Sequence, residues 1–192
     1  MKQLKMYWKP VPTEFPVLPE GWSVRTYNGS EADALAWVAC CQHGLLPRKA
    51  GAEFFERCIV SSEGYSPDAV YFIEHAGEVV ATVTALLNAE KVGHAHYVGA
   101  KRSARGVGVG GWLNQIVKAD LWRRGCIRAY LTTDEYRVPA VCSYLTAGFL
   151  PVEYDVDMPQ RWGGMLGFLG RINVPMVDEE GNVVRILNEC AE

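Results

Sequence analysis

The sequence predicts a mixed α+β / α/β fold, in which helices cover both faces of a mostly antiparallel sheet in three layers. Short segments rich in Val, Ile, Thr and aromatic residues are typical of strands. Between some of them lie longer segments whose apolar residues recur at helical spacing. Glycine, proline and polar clusters separate the segments. Together these observations predict the element order β-α-α-β-β-β-α-β-α-β.

The chain is predicted to have three parts. Residues 1–21 are interrupted by four prolines and are expected to form an extended N-terminal arm. The folded domain is expected over 22–158, and a C-terminal extension packed on it over 159–192. Strands are predicted at Trp22–Tyr27, Val70–His75, Glu78–Leu87, Lys91–Ala100, Ile127–Thr132 and Phe149–Met158, and helices at Ala34–Gln42, Ala50–Ser61, Trp112–Arg124, Pro139–Ala147 and Arg161–Gly170.

Local signals support several of these elements. Ser30 offers a hydroxyl as N-cap of the first helix. Ala76-Gly77 joins two strongly β-favouring segments, which indicates a hairpin. Near the end of the chain, residues 178–182 indicate a tight turn between two short strands.

Composition excludes several function classes. The 192 residues are 49% hydrophobic and 21% charged, as expected of a globular domain, and the net charge of −3 does not favour nucleic-acid binding. No apolar run approaches the roughly 20 residues of a membrane span, and no signal-peptide pattern is found. The six cysteines form no C-x-x-C pair, so we expect reduced thiols in a cytoplasmic protein. They are Cys40, Cys41, Cys58, Cys126, Cys142 and Cys190.

The segment after the predicted strand Lys91–Ala100 is the most informative part of the chain. It holds four glycines in six residues immediately before a predicted helix: Gly106, Gly108, Gly110 and Gly111. Such a turn exposes backbone N–H groups beside the positive end of a helix, which favours an anion such as phosphate. The glycines match the dinucleotide pattern G-x-G-x-x-G, but five residues separate them from the strand, which disfavours that interpretation. A glycine-rich surface turn without a ligand is the other alternative.

Arg105-x-x-Gly108-x-Gly110 resembles the R/Q-x-x-G-x-G/A signature of the GCN5-related N-acetyltransferases (GNAT), and the predicted element order is similar to theirs. The resemblance covers about Trp22 to Met158 and implies a GNAT-like fold. It implies acetyl-coenzyme A as co-substrate and no metal. The backbone at the strand end, Val98, Gly99 and Ala100, would pair with the pantetheine arm, and Gly106, Val107, Gly108, Val109, Gly110 and Gly111 would bind the pyrophosphate, with Arg105 at the signature position.

A second stretch carries the resemblance further. Residues 140–149 resemble the family's A-x-x-x-Y-x-x-x-G-F ending and place Tyr144 at the tyrosine position. In many members this phenol protonates the departing thiolate, although a tyrosine that only packs on the sheet remains an alternative. Arg137 stands where many members have an asparagine, which puts one cofactor hydrogen bond in doubt.

The base that deprotonates the amine is harder to assign. In the histone-acetylating branch a glutamate does this, and the matching position is His96, whose imidazole suits the role. A hydrogen-bonded strand histidine is the alternative, and Glu90, Glu135 or water are other candidates for the base. His94 lies on the same face of the strand, but two histidines with no third ligand are a weak metal signal.

The resemblance implies an acetyl-coenzyme A-dependent N-acetyltransferase that acts on a small molecule or peptide by direct attack of the amine in a ternary complex. The acceptor would bind among residues 42–65 and after Pro151, and the sequence does not identify it. No nucleic-acid or membrane partner is expected, and a homodimer is left open. The alternatives are a non-catalytic acyl-coenzyme A-binding sensor or interaction module and, with less support, an NAD-dependent oxidoreductase.

Overall fold

A computed structural model describes residues 2–42 and 44–189 and divides the chain into two compact units. One unit is Pro10–Ile127, and the other joins Met1–Lys9 with Arg128–Glu192. Cys190, predicted to be a reduced thiol, lies outside the described residues.

The unit Pro10–Ile127 contains four antiparallel strands in sequence order. They are β1 at Trp22–Thr26, β2 at Val70–His75, β3 at Glu78–Leu87 and β4 at Val92–Ala100. Its helices are α1 at Glu31–Cys41, α2 at Glu53–Phe55 and α3 at Val109–Arg123; α2 runs directly into a π-helical turn at Glu56–Val60, and 3₁₀ turns lie at Pro67–Ala69 and Arg102–Ala104. The predicted hairpin is confirmed, with Ala76 and Gly77 both at positive φ, as its tight turn requires.

Helices cover both faces of the sheet within this unit. Val70 and Phe72 of β2 pack in a buried cluster with Trp37 of α1. The residue between them, Tyr71, points to the other face, where its hydroxyl donates to the Asp120 carboxylate of α3 over 2.8 Å. Because side chains alternate along a strand, α1 and α3 lie on opposite faces. Ser30 caps α1 as predicted, since its side chain accepts from the Asp33 N–H over 3.2 Å.

The other unit contains a strand that the sequence analysis did not assign. Leu4–Trp8, named β5, pairs antiparallel with β6 at Arg128–Thr133 on one side and with β7 at Leu150–Pro151 on the other. Its Leu4 and Met6 side chains are fully buried. The same unit contains α4 at Val138–Thr146, α5 at Met158–Phe168 and a hairpin of β8 at Val174–Val177 with β9 at Val183–Leu187.

The mixed, mostly antiparallel α+β class is confirmed, and the predicted element order is found from Trp22 to Pro151. Some predicted bounds were wrong. The strand predicted at Phe149–Met158 is only Leu150–Pro151, and the next two N–H groups, of Val152 and Glu153, donate to the carbonyls of Lys5 and Val177. The helix predicted over Ala50–Ser61 is short and continues as the π-helical turn. In the described part of the chain no helix has both the length and the apolar character of a membrane span.

Candidate active site

The glycine segment forms a tight turn into α3, which begins at Val109, three residues earlier than predicted. Gly106 and Gly108 have φ of 85° and 94°, a backbone conformation that residues with a side chain rarely adopt. Gly108 is the N-cap, and no side chain caps the helix. The Gly111 N–H donates to the Gly108 carbonyl over 2.9 Å, so what the first turn presents to an anion is its earlier backbone and the positive end of a 15-residue helix. This geometry fits a phosphate group.

Two cationic residues beside the glycine turn, Arg105 and Lys101, contact other groups of the protein. The Arg105 guanidinium donates to the Ala100 carbonyl at the end of β4 over 3.4 Å. The Lys101 ammonium lies 3.9 Å from the carboxylate of the exposed Glu78, and an ion pair this long with one exposed partner is weak. Both side chains therefore lie at the junction of strand and turn.

The end of β4, where Val98, Gly99 and Ala100 lie, is irregular. Thr84 pairs with His96 and Thr82 with Gly99, so β4 carries one more residue than β3 over this stretch. Tyr97 absorbs the extra residue with a φ of 48°, the geometry of a β-bulge. A bulge changes the direction of the side chains and backbone groups that follow it, here those of Val98 to Ala100.

Gly99 is required for close packing beyond the bulge. A Cβ at this position would lie 2.9 Å from the Cys41 sulfur and 3.0 Å from the Cys40 carbonyl oxygen of α1. Both cysteines are buried. Only glycine therefore lets the strand approach the helix this closely.

His96 is held by the π-helical turn. Its Nε2 lies 3.2 Å from the Cys58 carbonyl oxygen, and its ring lies 4.5 Å from that of His94 and 4.6 Å from that of Tyr97. Burial lowers the pKa of His96, and the bond to the Cys58 carbonyl offsets part of that effect. The imidazole is therefore neutral near neutral pH, as a general base must be.

Tyr97 links the same turn to the bulge. Burial raises the pKa of its phenol, and a hydrogen bond with the Cys58 side chain adds to the increase. Its ring packs against that of Trp37, 5.0 Å away. Sequence reasoning named neither Tyr97 nor the role of Cys58, and no local motif marks them.

Tyr144 lies in the other unit, on α4, with 7% of its surface exposed. Burial raises the pKa of its phenol to about 12, and the nearby charge of Arg137 acts in the opposite direction. The ring meets that of Phe149 edge-on at 6.1 Å. A phenol with this pKa is protonated near neutral pH, and it is a weaker acid than an ordinary tyrosine.

Of the other candidate residues, Arg137 and Glu135 are in ion pairs, and Glu90 is exposed. Arg137 precedes α4 and donates to the Asp134 carboxylate over 2.9 Å. Glu135 accepts from Arg161 over 2.8 Å, whereas Glu90 lies exposed in the turn between β3 and β4. Among residues 2–42 and 44–189, no group of three or more His, Cys, Asp or Glu side chains is arranged to hold a metal ion.

Comparison with known proteins identifies the family to which the sequence is similar. Residues 32–149 match the model of the Acetyltransferase (GNAT) family. Mycothiol acetyltransferase of Streptomyces bingchenggensis is 32% identical over 145 residues, which cover 73% of this chain and 47% of that protein. The Streptomyces scabiei enzyme of the same name is 31% identical over 150 residues, covering 76% and 48%.

Solved structures agree on the fold. A GCN5-related N-acetyltransferase from Sphaerobacter thermophilus superposes with a TM-score of 0.64 at 24% identity, covering 79% of this chain and 49% of that one. The chain spans about half the length of the curated relatives that it matches. The family match covers more than half of the chain and includes β4 and the glycine turn. The chain therefore belongs to the GNAT family of acetyltransferases.

Proposed function

We propose that this chain transfers an acetyl group from acetyl-coenzyme A, the co-substrate of its family, to a primary amine of a small molecule. The observation that carries the proposal is the N-terminus of α3. It has no side-chain cap, and it follows Gly106 and Gly108, whose backbone is in the left-handed conformation. That arrangement suits the pyrophosphate of coenzyme A.

The proposed cofactor site uses backbone groups of one stretch. The bulged end of β4, Val98 to Ala100, would pair with the pantetheine arm as an added strand. The turn from Gly106 to Gly111 would hold the pyrophosphate, and Arg105 would contribute its charge beside it. Added side chains at Gly106 or Gly111 would meet nothing within 4 Å, so a ligand has room to approach these backbone atoms.

The proposed reaction is a direct transfer. The neutral amine attacks the thioester carbonyl, a C–N bond forms and the C–S bond breaks. The proton lost by the amine goes to His96, and the departing thiolate takes a proton from Tyr144. The neutral state of His96 and the protonated state of Tyr144 support these two assignments.

For the acceptor we propose a small-molecule amine related to mycothiol, because the curated relatives at 31–32% identity are named mycothiol acetyltransferases. A peptide amine is the alternative acceptor class. The segment that would contact the acceptor includes α2 and the π-helical turn, whose Cys58 carbonyl faces His96.

The test is an acetyl-transfer screen over an amine panel that includes the amine precursor of mycothiol, peptides and simple amines, with free thiol release as the readout. We expect release that depends on both the amine and the protein. Binding of acetyl-coenzyme A without turnover on any amine would instead support the non-catalytic acyl-coenzyme A-binding module. Stabilisation by NAD rather than by acetyl-coenzyme A in a thermal-shift assay would contradict the cofactor assignment.

A further inference from the structure

The π-helical turn at Glu56–Val60 changes the pairing of one carbonyl. The Ser61 N–H donates to the Glu56 carbonyl over 2.9 Å, the wide spacing of a π-helix. The Ser62 N–H, which would bond the Cys58 carbonyl in an α-helix, donates instead to the Ile59 carbonyl over 3.0 Å. Turns of this kind are rare and occur often at functional sites.

Two side chains, those of Ser62 and His96, lie within hydrogen-bond distance of the Cys58 carbonyl oxygen. It accepts from the Ser62 hydroxyl over 2.9 Å and faces His96 Nε2 at 3.2 Å. A carbonyl oxygen only accepts hydrogen bonds, so Nε2 must carry the proton of the neutral ring. Nδ1 then holds the free lone pair and is the atom able to take up a proton.

Two titratable side chains, His94 and Tyr97, lie beside the His96 ring on β4, and the backbone carbonyl of Cys58 faces it from the π-helical turn. The charge of Arg57, on the same turn, acts on Tyr97. The pKa of His96 responds to its burial and to the Cys58 carbonyl. The carbonyl therefore influences both the tautomer of the ring and its proton affinity.

We propose that the π-helical turn is a positioning element that fixes His96 as the Nε2–H tautomer and so makes Nδ1 the atom that accepts the proton of the amine. This inference rests on the proposed role of His96 as the base. When Nδ1 takes the proton, the resulting imidazolium keeps its bond to the Cys58 carbonyl, and hydrogen bonds to charged donors are the stronger ones. The turn thereby favours the charged form of the ring that proton transfer creates.

The first measurement is the tautomer itself, in the intact chain labelled with ¹⁵N-histidine. Two-bond ¹H–¹⁵N correlation spectra at a pH above the ordinary histidine value of 6.5 distinguish the two ring nitrogens. His96→Gln, which lacks the ring, assigns the signals. We expect a protonated Nε2 and an unprotonated Nδ1. An Nδ1–H tautomer would overturn the inference whatever the activity.

The second measurement tests whether the π-helical turn causes this tautomer of His96. Deleting Arg57 removes one residue and should convert the π-helical turn into an α-helical one. We expect mixed tautomers, a shifted acidic limb of the pH–rate profile, and turnover about 10-fold lower or more, with acetyl-coenzyme A affinity changed less than about 2-fold. Arg57→Ala keeps the length and serves as the matched control, with tautomer and acidic limb unchanged. A deletion variant that folds and keeps the native tautomer would contradict the positioning role.

The His96→Gln variant separates this inference from the proposed function. Its amide nitrogen is able to donate to the Cys58 carbonyl in place of Nε2, but it offers no base. We expect near-native stability, turnover lower by roughly 10²-fold or more, and loss of the acidic limb. If turnover and pH profile match the native protein while the spectra show Nε2–H, the proposed base is wrong although the tautomer is right.

Discussion

Replacing Gly99 with alanine tests the close approach between β4 and α1. The new Cβ would lie 2.9 Å from the Cys41 sulfur and 3.0 Å from the Cys40 carbonyl oxygen, both shorter than an ordinary contact. The Cys41 side chain is fully buried, and the carbonyl belongs to the backbone of α1, so neither is free to move away without cost.

The expected loss of stability follows from these contacts. Overpacking a well-packed core costs roughly 1–3 kcal/mol. Alanine also restricts the unfolded chain, which offsets about 0.4–1 kcal/mol. The middles of these ranges, about 2 and about 0.7 kcal/mol, predict that Gly99→Ala lowers the free energy of unfolding by about 1.3 kcal/mol. For a slope of about 2 kcal/mol per molar urea, the midpoint moves down by roughly 0.6 M.

Urea denaturation followed by tryptophan fluorescence and circular dichroism measures the change. Gly164→Ala is the control, because Gly164 is an exposed position of α5 where an added Cβ meets nothing within 4 Å. Alanine there should raise stability by up to about 1 kcal/mol, since glycine is unfavourable inside a helix. Repeating Gly99→Ala in a Cys41→Ala background should recover part of the loss. An unchanged or higher midpoint for Gly99→Ala alone would refute the packing argument.

Three further predictions concern single residues. Gly108→Asp should abolish acetyl-coenzyme A binding by calorimetry, because a carboxylate enters the anion site, while Gly29→Asp, at another left-handed glycine with open surroundings, should leave binding unchanged. Tyr144→Phe should lower turnover roughly 10²-fold, with acetyl-coenzyme A affinity altered by less than about 1 kcal/mol; an unaltered single-turnover rate would identify a packing residue. Asp33→Asn should lower stability by roughly 1–3 kcal/mol, because an amide has one acceptor oxygen and no charge, whereas both carboxylate oxygens of Asp33 accept from Arg25 over 2.7 Å. Burial alone would raise the pKa of Asp33, but the bonds from Arg25 and the Asn28 N–H outweigh it and hold the pKa below its ordinary 3.8. The Asp33 carboxylate thus stabilises the fold above pH 3.8, and the difference between native protein and Asp33→Asn should shrink as pH falls below that value; a difference that persists in acid would contradict this account.

Elements with strong local signals were predicted from the sequence. The hairpin at Ala76-Gly77 and the Ser30 cap depend on residues within a few positions of each other, so a local pattern suffices to predict them. The glycine turn is of the same kind, because left-handed backbone at Gly106 and Gly108 requires glycine wherever the chain later folds.

The strand Leu4–Trp8 was missed for the opposite reason. It has five residues, includes Lys5 and is followed by a proline-rich stretch, so its own signal is weak. What makes it a strand is pairing on both sides with β6 and β7, more than a hundred residues away in sequence. Burial of Leu4 and Met6 follows from that pairing.

By itself, the sequence determined the order of the elements from Trp22 to Pro151 and the glycine turn, because periodicity and short motifs encode them. The candidate positions of His96 and Tyr144 came from the resemblance of the sequence to the GNAT family. Only the tertiary structure decided how His96 is held. Its partner is the Cys58 carbonyl, a backbone group 38 positions away that carries no sequence signal. The bulge at Tyr97 and the contact between Gly99 and α1 likewise depend on how separate segments pack. Long-range contacts between backbone groups leave no local pattern, so they appear only when the chain is folded.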